Sequence, residues 1–179
     1  MPPDTKALIS ETFREMVRQK GIDKVTVKSL IDACQISRQT FYYHFQDIME
    51  VIQWSMEQAA QNNLSRSLNA NSPEEAIGIF LSAAAEDYPL IIKLLDSRRR
   101  EQIEKIFVQA VRKYLGILLR KKGTALVYSD IEVTLDFWAF GLSGLLFRYC
   151  GQKDLDIPQL SRQIYRLLSS SLPAAGSPQ

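Results

Sequence analysis

Apolar residues recur at three- and four-residue intervals along most of this chain, and no run alternates for long enough to make a convincing strand. The pattern predicts nine helices. Asp4 can cap the first, whose apolar stripe is Leu8, Ile9, Phe13, Met16 and Val17, and Gly21 stops it. Two short helices follow between Thr26 and Phe45. A long fourth helix is expected from about Asp47 to Asn69, with Ile48, Val51, Ile52, Ser55, Ala59 and Leu64 inward. Asn69-Ala70-Asn71-Ser72-Pro73 is a break, in which Ser72 caps and Pro73 takes the first position of a fifth helix reaching about Asp87. Pro89 is expected to start a short sixth helix through Leu95. The seventh should run from near Ser97 to Lys122, ended by Gly123, and the eighth from about Ser129 to Cys150, ended by Gly151. The ninth should begin near Ile157-Pro158 and stop before Pro173, leaving residues 173–179 as a disordered tail. The fold class is all-α, without internal repeats.

The stretch Thr26 to Phe45 carries the most chemistry. Thr26 can cap a helix whose stripe is Val27, Leu30, Ile31 and Cys34. Gln35-Ile36 makes a turn, and Ser37 is a second N-cap. The following helix has Phe41 and Phe45 on one side, with Arg38, Gln39, Tyr42 and Tyr43 on the other. Arginine pairs bidentately with guanine and glutamine with adenine, while aromatic rings can meet thymine methyls. Hydroxyl and imidazole groups suit phosphates, which set register without reading sequence. Such a helix packs by one face and reads DNA with the other. The alternative is a surface helix whose aromatic patch rests on a neighbouring domain.

These residues resemble the helix-turn-helix of the TetR/AcrR family of bacterial transcription regulators. The match lies at Thr26, Val27, Ser37, Thr40, Tyr42, His44 and Phe45, with Leu30, Ile36 and Phe41 as apolar equivalents. It extends over the preceding helix and the start of the fourth, roughly the first third of the chain. Four positions depart from the family pattern. Ile31 and Cys34 replace alanines, and Gln35 replaces the turn glycine. Ile48 stands where a lysine commonly meets phosphate. The resemblance implies a TetR-like fold divided into a DNA-binding head, residues 1–47, and an effector-sensing and dimerisation part, residues 48–172. It places Arg38, Gln39, Thr40 and Tyr43 near base edges, and Thr26, Ser37, Tyr42 and His44 on phosphates. The segment from Thr40 to Ile48 also resembles the branch that regulates dihydroxyacetone kinase genes, in which the effector can be a protein.

Composition fits a single compact regulator of 179 residues with 46% hydrophobic content. A net charge of +2 argues against a protein that coats nucleic acid along its whole surface, and permits one with a local basic patch. Cys34 and Cys150 have neither disulfide-framework nor zinc spacing. No signal peptide is expected, and the apolar run Phe137 to Phe147 is too short to cross a membrane, so a cytoplasmic location follows. His44 is the only histidine and lies inside the motif. No phosphate loop, metal cluster or nucleophile constellation is present, so no catalytic residue, metal or cofactor is expected.

The eighth expected helix is apolar nearly all round, which predicts burial on several faces, and Gly141, Ser143 and Gly144 would let another backbone approach. The ninth carries Ile157, Leu160, Ile164, Leu167 and Leu168 at helical spacing. Two such helices per chain can form a four-helix bundle with a symmetry mate, or fill the monomer's own core. The resemblance implies the first: a homodimer through the last two long helices on a palindromic operator. It also makes the middle helices the sensing region for a small-molecule or protein effector, with Trp54, Phe80, Tyr88, Tyr114 and Trp138 as candidate lining and Phe137 and Phe147 as further aromatics. The same aromatics could be plain core. Arg120-Lys121-Lys122 reads as a dipole partner at the C-terminal end of the seventh helix, and Arg98-Arg99-Arg100 as a solvated helix start, with binding of an anionic effector or phosphate as its alternative. The function implied is a ligand-responsive repressor. An activator, or an interaction module of the same fold controlled by a partner protein, stays open.

Overall fold

The computed structural model describes residues 4–121 and 131–170. Among them are eight α-helices, one 3-10 turn and no strand. The helices are α1 (Thr5–Lys20), α2 (Val27–Cys34), α3 (Arg38–His44), α4 (Ile48–Leu68), α5 (Pro73–Leu95), α6 (Arg100–Lys121), α7 (Ile131–Tyr149) and α8 (Ile157–Ser170), with the 3-10 turn at Ile22–Lys24. The expected glycine stop at Gly123, the start at Ser129 and the tail from 173 lie outside the described residues. The chain divides into two compact units. The first takes the chain up to Ala59 together with Asp87–Phe107, and the second takes Ala60–Glu86 and the chain from Val108 onward.

In the first unit each short helix is started by a side chain. Asp4 accepts the backbone N–H groups of Lys6 and Ala7 at 3.0 and 3.4 Å. Gly21 closes α1 at φ +77°, a conformation that favours glycine. The core is formed by Ile9, Phe13, Val17, Leu30, Phe41, Phe45, Val51, Ile52 and Ile103. Three polar links tie α1 to its neighbours. Ser55 donates to the Val51 carbonyl at 2.7 Å, so its one proton is committed. The buried 2.6 Å contact with Ser10 is then a bond donated by Ser10. Arg14 and Arg18 both reach Asp87, at 2.6 and 3.2 Å, and Lys93 donates to the Arg18 carbonyl.

Pro89 does not start a separate helix. It lies inside α5, which is continuous from Pro73 to Leu95. A mid-helix proline forfeits one backbone bond and crowds the preceding turn, at a cost of about 3 kcal/mol. Burial of Leu90, Ile91, Leu94 and Leu95, with Asp87 anchored by two arginines, offsets it. The expected helix at Ser97 begins three residues later. Ser97 instead makes a turn, its carbonyl accepting from Arg100 at 3.2 Å and its hydroxyl from Arg99 at 3.2 Å.

The core of the second unit includes Leu64, Ala76, Leu81, Val111, Leu115, Leu135, Trp138, Ala139, Leu142, Leu146 and Ile164. A buried relay joins three helices: the Tyr114 hydroxyl donates to Ser67 at 2.7 Å, and Ser67 donates to the Ala76 carbonyl at 3.3 Å. Arg112 ties α6 to α7 through Asp136, at 2.6 Å, and Glu132. The sequence predicts burial of α7 on several faces, but within a single chain only one face is covered. Leu135, Trp138, Ala139, Leu142 and Leu146 point inward. Val133, Phe137 and Phe140 are 73%, 71% and 66% exposed.

Two predictions follow from these backbone and burial features. Gln35 sits at φ +55°, the left-handed region, where a side chain costs about 1 kcal/mol relative to glycine. Gln35→Gly is expected to raise the denaturant midpoint with an unchanged slope, and no gain would show that Gln35 carries no strain. Burial pushes the Cys150 thiol from 9.0 up to about 11. Its folded value is raised, so its contribution is complete below about pH 9 and is lost as pH rises towards 11. The unfolding free energy should fall over that window by on the order of 2 kcal/mol more than in Cys150→Ala.

Candidate nucleic-acid interface and ligand cavity

Each helix of the motif begins with a side-chain cap, reciprocal in α2. Thr26 Oγ1 accepts from the Ser29 N–H at 3.1 Å, and Ser29 Oγ accepts from the Thr26 N–H at 3.0 Å. Gln35 takes the left-handed conformation that ends α2, and the Ile36 N–H returns to the Ile31 carbonyl at 3.3 Å. Ser37 then opens α3, accepting from the Thr40 N–H at 2.9 Å. α3 has only seven residues, yet Phe41 is fully buried and Phe45, its C-cap, is 1% exposed. Trp54 meets Phe45 edge-on at 6.1 Å.

With those anchors inward, the polar side chains of α3 face water. Arg38, Gln39, Tyr42 and Tyr43 are exposed, Tyr43 at 84%. The Arg38 guanidinium lies over the Tyr42 ring at 5.5 Å, one helical turn away. His44 is half-buried, its ring edge-on to Tyr43 at 5.0 Å. Thr40 is half-buried, and its hydroxyl shares a 2.8 Å bond with Ser37. Thr26 and Ser37 are exposed, with their oxygens already serving as caps. Of the eight predicted contact residues, Arg38, Gln39, Tyr42 and Tyr43 are exposed, while Thr26, Ser37 and Thr40 use their hydroxyls within the motif.

The start of α4 carries acidic groups. Ile48 is buried at 4% exposure. Asp47 accepts the Glu50 N–H at 3.0 Å, and Glu50 accepts the Gln46 N–H at 2.5 Å. Two carboxylates thus occupy a helix N-terminus that would otherwise attract an anion. Lys6, from the first turn of α1, places its ammonium 5.1 Å from the centroid of the Phe45 ring, beside the end of α3. No motif marks Lys6 in the sequence; only the approach of α1 to Phe45 brings its charge here.

The candidate lining residues separate. Phe80, Tyr114 and Trp138 meet around one cavity of about 220 Å3 in the second unit, with Leu115, Leu142 and Tyr165. Trp54 and Tyr88 belong to the first unit, where Trp54 packs on Phe45. Phe137 is largely exposed and Phe147 half-buried. The aliphatic and tyrosine lining was missed because leucines at helical spacing look like ordinary core. Among the described residues, no group of three or more His, Cys, Asp or Glu could hold a metal ion, and no helix is long and apolar enough to cross a membrane.

Capped short helices, a left-handed turn and a polar outer face define a helix-turn-helix unit. Residues 9–53 match the family described as bacterial regulatory proteins, tetR family, so this segment is similar to the DNA-binding part of those regulators. It is 28% identical over 68 residues to the HTH-type dhaKLM operon transcriptional activator DhaS of Lactococcus lactis subsp. lactis (strain IL1403). That match spans 38% of this chain and 34%, about a third, of the relative's length. The fold extends over nearly the whole chain. The structure of a dihydroxyacetone kinase operon activator, DhaS, superposes with a TM-score of 0.64 at 17% identity, covering 94% of this chain and 96% of that one. Lin0861 from Listeria innocua gives a TM-score of 0.73 at 19% identity, covering 93% and 90%.

Proposed function

We propose that this chain is a cytoplasmic, ligand-responsive transcription regulator that binds a palindromic operator as a homodimer. The observation that carries the reading is the outer face of α3, where Arg38, Gln39, Tyr42 and Tyr43 stand exposed on a helix fixed by Phe41 and Phe45. Residues 1–47 act as the DNA-binding head and residues 48–172 as the sensing and dimerising part. Arg38, Gln39, Thr40 and Tyr43 approach base edges, and Thr26, Ser37, Tyr42 and His44 approach phosphates. Lys6 adds a phosphate contact in place of the lysine that Ile48 displaces. Acidic caps at the start of α4 favour this shift, since a phosphate there would face Asp47 and Glu50.

Dimerisation through α7 and α8 is supported by the exposed row Val133, Phe137 and Phe140. Gly141 and Gly144 leave open space where a side chain would stand, which lets a second backbone come close. Two recognition helices per dimer then require two half-sites about one helical turn, or a multiple, apart. A dimer sitting on a promoter blocks polymerase, which makes repression the first reading. Activation is the second, supported by the name of the curated relative as a transcriptional activator. An effector acts only through a difference in affinity for two conformations of the dimer.

The decisive experiment is a mobility shift with DNA flanking the gene at several salt concentrations. A saturable shift that survives competitor DNA and weakens with salt is expected. The absence of any shift from a folded dimer would turn the reading towards an interaction module. Arg38→Ala should cost about 1–3 kcal/mol of specific binding. Lys6→Gln should reduce the slope of log affinity against log salt by about 0.9 per protomer, and an unchanged slope would remove Lys6 from the interface. Phe137→Asp with Phe140→Asp should yield a folded monomer by sedimentation, and a persistent dimer would place the interface elsewhere.

A further inference from the structure

The cavity of the second unit restricts the chemistry of what it can hold. Among the described residues, none of its lining side chains carries a charge. A carboxylate or phosphate moved into such a space would lose its hydration without gaining a partner, which costs several kcal/mol. Two of the three lining hydroxyls, those of Tyr114 and Ser169 but not Tyr165, are already committed within the protein. Tyr114 donates to Ser67, and Ser169 donates to the Arg166 carbonyl at 3.1 Å. A strongly polar ligand would therefore find few hydrogen-bond partners. Phe80 and Tyr114 provide an aromatic wall, their ring centroids 5.3 Å apart at an angle of 32°. Leu115, Leu118 and Leu142 supply aliphatic contact.

Size sets the second limit. A cavity of about 150 Å3 holds benzene. About 220 Å3 is roughly half as large again. We propose that this cavity binds an uncharged, predominantly hydrocarbon molecule of about ten heavy atoms and discriminates against the carboxylate of the same length. Tyr114 contributes both its ring to the cavity and its hydroxyl to the relay through Ser67 and Ala76, so a ligand against the ring bears directly on the packing of α4 against α5 and α6. The regulatory consequence rests on the ligand-responsive reading above; the binding does not.

The test compares 1-nonanol with nonanoate at neutral pH. The chain has two tryptophans, so full-length Trp54→Phe leaves Trp138, in the cavity lining, as the only indole. Nonanol is expected to change Trp138 emission saturably and to raise the melting temperature, with nonanoate at least about tenfold weaker. Ile77→Phe, and separately Leu118→Trp read by melting temperature, should fill the space and weaken nonanol binding. Equal or tighter binding of nonanoate, no saturable response to nonanol, or unchanged affinity in both filled variants would overturn the proposal. The wild-type mobility shift separates the two readings. Nonanol bound with DNA affinity unchanged upholds the ligand class and removes the ligand-responsive reading. Nonanol refused by a protein that still shifts DNA overturns the ligand class alone.

Discussion

A helix of seven residues does not hold its shape in water by itself, so α3 depends on the burial of Phe41 and Phe45. Those two rings fix which way α3 faces, because the remaining positions of so short a helix are then forced outward. Arg38, Gln39, Tyr42 and Tyr43 face solvent for that reason. The caps at Thr26 and Ser37 satisfy orphan amides at either side of the turn, and Gln35 accepts a left-handed conformation so that α2 can stop where Ser37 must begin. Trp54 and Lys6 close over Phe45 from α4 and α1, so the anchor of the recognition helix is also where neighbouring helices converge.

The electrostatics of the head follow from the same packing. A chain with a net charge of only +2 must concentrate positive charge where it is used. At the start of α4 the local balance is negative, because Asp47 and Glu50 serve as caps. Arg14 and Arg18 are paired with Asp87 and Glu11, while Arg38 lies over the Tyr42 ring of α3 and Lys6 over the ring of Phe45, its C-cap. The Arg38 guanidinium is further steadied by the Tyr42 ring. The proposed DNA grip is thus built from a few well-placed charges.

The second unit has a different economy. Its apolar residues exceed what its own core can cover, and the surplus takes two forms. One is a cavity bordered by four helices, where aromatic and aliphatic side chains leave space between them. The other is the outer side of α7, where Val133, Phe137 and Phe140 meet water in the single chain. A closed core would need neither. The buried relay from Tyr114 through Ser67 to Ala76 satisfies those three polar groups internally, while the buried Ser143 hydroxyl on α7 has no partner among the described residues. The cavity is therefore left to apolar contacts.

Helical periodicity, caps and the motif chemistry were legible from local pattern, because each depends on residues within one or two turns of one another. Asp4, Thr26, Ser37 and Ser72 do what their spacing predicts, and the outward set on α3 follows from the inward pair. Pro89 was misread because a local helix breaker was outweighed by distant partners: buried leucines beyond it and two arginines on α1 beside it. The same limit separated Trp54 and Tyr88 from Phe80, Tyr114 and Trp138, since aromatic identity says nothing about which helices share a cavity. Lys6 acquires its place only through the approach of α1 to Phe45. The sequence by itself determined most of the helices and the motif, both set by short-range hydrogen bonding and side-chain spacing. Only the tertiary structure decided which apolar residues enclose a cavity, which stay exposed, and which charges gather beside α3, because those are properties of contacts between residues far apart in the chain.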